Sequence, residues 1–173
     1  MRHNEVRDTT ADLLSDVCRG IDTEPYLEPL TREDLQAPNI LTDEARVDIV
    51  ARYFWTRGQL AFFDVRVFNP FAKRHVNKSL AKMFEGNEKE KKSSYNKRII
   101  EIEQGSFTPL VFSSTGGMAR ECALFYSRLS KCIAEKHSLD LKETTSWIKT
   151  KINFSLIRST LACIQDSRKG YSF

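Results

Sequence analysis

Asp48, Asp64 and Arg66 are the residues whose types and spacing could do chemistry. Each acid stands inside a run rich in β-branched and aromatic residues, Arg46-Val-Asp-Ile-Val-Ala-Arg-Tyr-Phe54 and Leu60-Ala-Phe-Phe-Asp-Val-Arg-Val-Phe68. Both runs read as strands. Asp48 lies between Val47 and Ile49, and Asp64 between Phe63 and Val65, where a strand prefers apolar residues. Burying a carboxylate is costly unless it is paired or bound to a cation. With a strand period of two, Asp64 and Arg66 share one face. One acid on a strand, with an acid and a cation on its hairpin partner, is the constellation of Mg²⁺-dependent phosphodiester hydrolysis. Mg²⁺ takes oxygen ligands, often only one or two carboxylates together with waters and a substrate phosphate. Such an ion lowers the pKa of bound water and offsets charge on the phosphate, to which a neighbouring cation adds.

Cooperation between the two acids depends on hairpin register. Thr56-Arg57-Gly58 reads as a three-residue loop with Gly58 in the left-handed position. Asp48 then lies opposite Arg66, Asp64 lies opposite Val50, and the carboxylates are diagonal neighbours on one face. A slip of one residue would send them to opposite faces. The competing arrangement is structural: Asp48 paired with Arg46 or Arg52, and Asp64 with Arg66, as cross-strand ion pairs.

The elements that must hold this hairpin follow from periodicity. Residues 3–19 read as an amphipathic helix carrying Val6, Leu13, Leu14, Val17 and Cys18 on one stripe, with Gly20 as its stop. Glu5, Asp8, Asp12 and Asp16 line another side, and Glu5 stands at the end of the helix that can meet a sheet edge. Thr23–Leu30 reads as an edge strand with prolines near its ends. Residues 31–45, with Pro38 and Asn39, read as a polar connection with one helical turn near Arg32–Gln36. Asn69-Pro70 closes the hairpin and starts a helix over Phe71–Phe84, with Ala72, Val76, Leu80 and Met83 inward. Gly86-Asn87 reads as a break or kink, and Glu88–Glu103 reads as helical again, with a Glu-Lys run that is a solvated face. Phe107–Ser113 reads as a buried strand, followed by helices from Met118 and over Lys142–Gln165. On the last, Trp147, Ile148, Ile152, Leu156, Leu161 and Ile164 form the inward stripe, with Trp147 as a core anchor. The order helix, three strands, helix, strand, two helices predicts an α/β fold with a mixed four-stranded sheet flanked by helices.

The chain has 173 residues, 40% hydrophobic and 29% charged, which fits a single globular domain. A net charge of +4 and a pI near 8.9 agree with a nucleic-acid partner. No apolar run is long enough to span a bilayer, and the polar start Met-Arg-His-Asn-Glu lacks a signal-peptide core. An intracellular protein, nuclear or cytoplasmic and not secreted, is expected. Cys18, Cys122, Cys132 and Cys163 form no CxxC pair, and His3, His75 and His137 are scattered. The cysteines read as small buried hydrophobes in a reducing compartment, not zinc ligands. Ser113-Ser-Thr-Gly-Gly117 before a helix is either a phosphate-binding turn or a helix start with permissive glycines. Tyr95 and Gln104 are candidate cleft residues. Lys149, Lys151, Arg158 and Arg168 are a candidate basic flank.

These residues, in this order of elements, resemble the PD-(D/E)XK phosphodiesterase superfamily, whose core is the restriction-endonuclease-like fold (αβββαβ). Val47-Asp48 matches the first motif without its proline. Asp64-Val65-Arg66 matches (D/E)-x-K with arginine for lysine, and Glu5 is the best match for the acid of the first helix. The resemblance covers about residues 3–137, with a helical extension over about 140–168. Phe62-Phe-Asp-Val-Arg-Val-Phe-Asn-Pro70 and Ser106-Phe-Thr-Pro-Leu-Val-Phe-Ser-Ser-Thr-Gly-Gly117 are also similar to a domain at the C-terminal end of reverse-transcriptase polyproteins of animal mobile elements.

The resemblance implies a DNA endonuclease using Mg²⁺ or Mn²⁺. Asp48 and Asp64 would be its metal ligands, Glu5 an outer ligand or water-orienting group, and Arg66 would lie on the scissile phosphate. DNA is implied as the partner ahead of RNA. Arginine stays protonated, so Arg66 could supply charge but not accept a proton. Lys91 or Lys92 would have to take that part, or the metal alone would act. The alternatives are a catalytically degenerate nucleic-acid-binding module of the same fold and a protein-interaction domain with structural ion pairs.

Overall fold

A computed structural model describes residues 3–28 and 46–169. Its first element is α1, Asn4–Val17, which buries Val6, Leu13 and Leu14. The chain turns extended at Cys18 and enters β1, Arg19–Thr23. Gly20 is thus not the helix stop but a strand residue with φ +61°, inside the register shift between Arg19 and Asp22. That left-handed backbone suits a bulge, which only glycine adopts without strain. Of the strand expected over Thr23–Leu30, Thr23 ends β1 and Tyr26 makes an isolated bridge to Arg46, while residues 29–30 lie outside the described residues. The connection 31–45, with its expected turn at Arg32–Gln36, lies outside the described residues.

β2, Ile49–Arg52, and β3, Leu60–Phe68, form the antiparallel hairpin. β3 then pairs in parallel with β4, Ser106–Ser113, giving the sheet order β1-β2-β3-β4. Pro109 is tolerated because β4 is the edge strand of this sheet. A short 3₁₀ turn, Lys73–His75, leads to α2, Leu80–Glu101. α2 runs uninterrupted through Gly86 and Asn87, where the sequence predicts a break or kink, and Asn87 Nδ2 donates to the Met83 carbonyl at 2.7 Å. Phe71 and Val76, expected in a helix, are exposed. α3, Arg120–His137, and α4, Leu141–Lys169, complete the chain.

The expected α/β class with a mixed four-stranded sheet is therefore what forms, as three layers. α1, α3 and α4 cover one face over a core containing Phe54, Phe63, Val65, Phe125, Leu129, Ile148 and Ile152. α2 covers the other face, where Val47, Val50, Phe62, Ile99 and Phe107 cluster. Along β3, Ala61, Phe63, Val65 and Val67 join the first core and Leu60 and Phe62 the cluster under α2, the period-two alternation of a strand. Asp64 and Arg66 therefore face α2. Among the described residues, no helix is long and apolar enough to cross a membrane.

Trp147 is not a core anchor. It is 49% exposed, with Lys151 Nζ 4.5 Å from its ring centre, while Ile148 beside it is 1% exposed. Phe154, Ile157 and Leu161 are also exposed on α4, and the buried side is lined by Ile148, Ile152 and Leu156 with Thr144, Ser155 and Ser159. The side chains of Cys163, Ile164 and Arg168 lie outside the described residues. Ile148→Ala is expected to cost about 2–5 kcal/mol in denaturant unfolding, the range for cavity-forming truncations. Trp147→Ala is expected to cost under about 1 kcal/mol. The reverse ranking would overturn this packing of α4.

Candidate active site

The hairpin turn is longer than expected. The two strands stop at Arg52 and Leu60, and residues 53–59 connect them, with Gly58 at φ +83°. Ile49 pairs with Phe63 and Val50 with Phe62, so the ladder extended by one residue sets Asp48 across from Asp64. The acids are direct neighbours instead of diagonal ones, Arg66 is not opposite Asp48, and Val50 is not opposite Asp64. The register is still even, so both carboxylates face the same way.

They open into one cleft of about 310 Å³, lined also by His3, Arg46, Arg66, Lys91 and Tyr95. Both acids are largely buried, Asp48 at 9% exposure and Asp64 at 4%. Among the described residues, neither pairs with a guanidinium. Asp48 Oδ2 accepts the Val65 N–H at 2.6 Å, and its Oδ1 lies 3.2 Å from His3 Nε2. Lys91 Nζ lies 2.7 Å from Asp64 Oδ2. Arg66 turns instead to Glu90, with Nη1 donating to Oε1 at 2.7 Å.

The position of Lys91 follows from helix geometry. Met83, Asn87, Lys91, Tyr95 and Ile99 recur every four residues, which is one face of α2. Met83, Asn87 and Ile99 are buried against the sheet, so Lys91 and Tyr95 are carried over the acids. Lys92, one residue on, points elsewhere and pairs with Glu121. Of the two lysines weighed from the sequence, the fold brings Lys91 to the cleft and Lys92 away from it.

Glu5 does not join the acids. Its side chain is half exposed, with Oε2 4.0 Å from Arg158 Nη1 on α4. His3, two residues earlier, reaches Asp48 instead. Two residues are about 200° around a helix axis, so these side chains cannot share a side. His3 is the site residue that the sequence reading missed; nothing in its spacing marks it, because its partner is set by where α1 begins. Gln104 also stays away from the cleft. Its contribution is a backbone carbonyl that accepts the Gln59 side chain at 3.2 Å.

The Ser113–Gly117 turn spends its donors internally. Ser113 N–H bonds the Gly117 carbonyl, Gly116 N–H bonds the Ser113 carbonyl, and Gly117 N–H bonds Ser113 Oγ, all within 3.0 Å. Ser114 N–H goes to Phe68, and Glu121 N–H goes to Glu88. This is a permissive helix start, with Gly116 at φ +92°, and not a phosphate cradle.

Electrostatically the cleft is poised. Burial pushes the Asp64 carboxyl up to about 6; Lys91 opposes the rise and the charge of Asp48 adds to it. Burial, the two carboxylates and a hydrogen bond to Asp64 raise the Tyr95 phenol, which stays a donor at neutral pH. Among the described residues no group of three or more His, Cys, Asp or Glu side chains converges, so no all-protein metal cage forms. A hard cation held by few protein ligands still fits. Asp64 Oδ2 is buried, and among the described residues its one close partner is the Lys91 ammonium at 2.7 Å. A metal ion there would share that oxygen with Lys91 and take Asp48 as its second carboxylate. No family model and no curated protein matches this chain.

Proposed function

We propose that this chain hydrolyses phosphodiester bonds of DNA with Mg²⁺ or Mn²⁺, in the manner of the PD-(D/E)XK enzymes that its motifs resemble. One observation carries the reading: Asp48 and Asp64 meet in a single cleft beneath Lys91. Asp48 and Asp64 would hold the ion. Glu5 has no part in it. The ion, when bound, supplies charge neutralisation at the phosphate and an activated water.

The remaining chemistry belongs to the side chains. Lys91 takes the part that the motif gives to the lysine two residues after the second acid, reaching the same place from α2. Its ammonium balances Asp64 and can donate to a phosphate oxygen or an attacking water. Arg66 supplies fixed positive charge at the wall of the cleft. Tyr95 is a further donor. The natural setting is nicking or trimming of DNA in the nucleus or cytoplasm on behalf of a mobile element, as the second resemblance suggests.

The test is plasmid nicking in Mn²⁺ by the purified protein beside Asp64→Ala. Cleavage by the first and none by the second is expected; equal cleavage by both would remove the site. A binding module without catalysis is the second reading. It is favoured by the Lys91–Asp64 ion pair, which already neutralises the oxygen that a metal would use. Salt-sensitive retention of DNA with no Mn²⁺-dependent product would decide for it.

A further inference from the structure

Arg66 lines two clefts. Besides the acidic one, it borders a neighbouring space of about 290 Å³ between the 3₁₀ turn and the first turns of α2. That second cleft is walled by Arg74, His75, Lys78 and Lys82, and the one acid among its described lining residues, Glu90, is held by Arg66. Four permanent cations against one carboxylate leave a strong positive excess in a confined space. Low-dielectric walls focus such a field. Arg74, Lys78 and Lys82 are exposed, and none of the described ion pairs involves them.

His75 adds a second observation. Its Nε2 faces the Arg74 Nε–H at 3.2 Å and acts as acceptor, so in the neutral ring the proton sits on Nδ1. That Nδ1 is buried and has no hydrogen-bond partner among the described residues. A buried donor left unpaired costs about 1–3 kcal/mol. Burial and the charges of Arg74, Lys78 and Arg66 hold the ring below its usual pKa. An anion in the cleft would compensate these cations, and rotation about the soft terminal torsion of the ring would give it the orphaned N–H.

We propose that this second cleft is a phosphate subsite for the nucleic-acid strand, holding a phosphodiester adjacent to the one at Asp48 and Asp64. Arg66 is then the hinge between the two phosphates, and the strand runs from the acids toward the 3₁₀ turn. The proposal rests on the cleft of Asp48 and Asp64 being a phosphodiester site, and it extends that reading by fixing the path of the strand. It also gives a physical reason for arginine at position 66: a planar fork can address two anions, whereas an ammonium is a point charge.

The test measures affinity for a short duplex DNA across a salt series in EDTA, so that no cleavage intervenes. The triple variant Arg74→Ala/Lys78→Ala/Lys82→Ala is compared with Lys131→Ala/Lys136→Ala/Lys142→Ala. The second set removes the same charge from exposed positions on α3 and α4 that line neither cleft. All six positions are exposed, so both variants are expected to fold. The first triple is expected to lose about tenfold or more in affinity and to lower the salt slope by about 2–3, and the second to change little. Equal losses in both would mean diffuse attraction and overturn the subsite. So would wild-type protein that ignores DNA yet is thermally stabilised by inorganic phosphate alone, which marks a small-anion pocket. The metal reading is judged separately, by whether Mn²⁺ raises the melting temperature of wild type but not of Asp64→Asn. Either proposal can fail while the other stands.

Discussion

Asp64→Asn is expected to melt about 6–12 °C above wild type near pH 7, while abolishing metal-dependent cleavage. The reason lies in the cost of the charge. Asp64 is 4% exposed, faces Asp48, and has its carboxyl pushed up to about 6 in the fold. An unfolded aspartate titrates near 3.8. Between those values the folded state holds a proton that the unfolded state has released, so stability falls as pH rises. Above pH 6 the full penalty applies, about 3 kcal/mol. Near pH 4 and below, the wild-type carboxyl is also neutral, and the advantage of asparagine should vanish. For a chain of this length 1 kcal/mol corresponds to about 2–4 °C, which gives the stated shift. Gaining stability while losing activity is the signature of a functional residue held at a cost. Thermal unfolding of the pair at several pH values checks it. Asparagine melting below wild type at neutral pH would show that the charge is a structural asset, which is what an ordinary buried ion pair predicts.

What could be read in the sequence, and what could not, divides along physical lines. The period-two runs around Asp64 and over Phe107–Ser113 are dominated by local patterning, so their strands were legible. The shared face of Asp48 and Asp64 was legible too, because parity survives any even change of register. Their direct opposition was not, because it depends on how residues 53–59 leave the strands, and Tyr53 there takes a positive φ that no propensity announces. Gly86-Asn87 carries the signature of a break, yet the Asn87 side chain bonds back to Met83 and α2 continues. Misreading that point hides the four-residue stripe from Met83 to Ile99, and with it the reason one lysine of a charged run turns inward. Glu5 fails for a related reason. Which residue of the first turn meets Asp48 depends on the rotation of α1 over the sheet, a tertiary quantity, and the rotation favours His3.

Lys91 is expected to matter more to cleavage than Arg66, although only Arg66 occupies the motif position. Lys91 Nζ is 2.7 Å from Asp64 Oδ2, whereas Arg66 is engaged by Glu90. Lys91→Ala should lower kcat/KM about 10²- to 10³-fold near pH 7, the scale for removing one preorganised charge. Arg66→Ala should act mainly through substrate affinity. The pH profile separates a role at the acids from a generic loss. Lys91 pulls the Asp64 carboxyl down against burial, so its removal must push that group further up. If Asp64 has to be ionised to work, the acid limb of the rate profile moves to higher pH in Lys91→Ala, and Lys91→Arg restores its position. Stability supplies a readout independent of turnover. Lys91→Ala removes the ion-pair partner of a buried carboxylate and should cost about 1 kcal/mol near pH 7, because the carboxyl, pushed further up, takes a proton instead of staying charged. In an Asp64→Asn background the same truncation should cost much less, because no buried charge is then left unpaired. Additive stabilities in that cycle, or an acid limb that stays in place, would detach Lys91 from Asp64 and return the lysine role to residue 66.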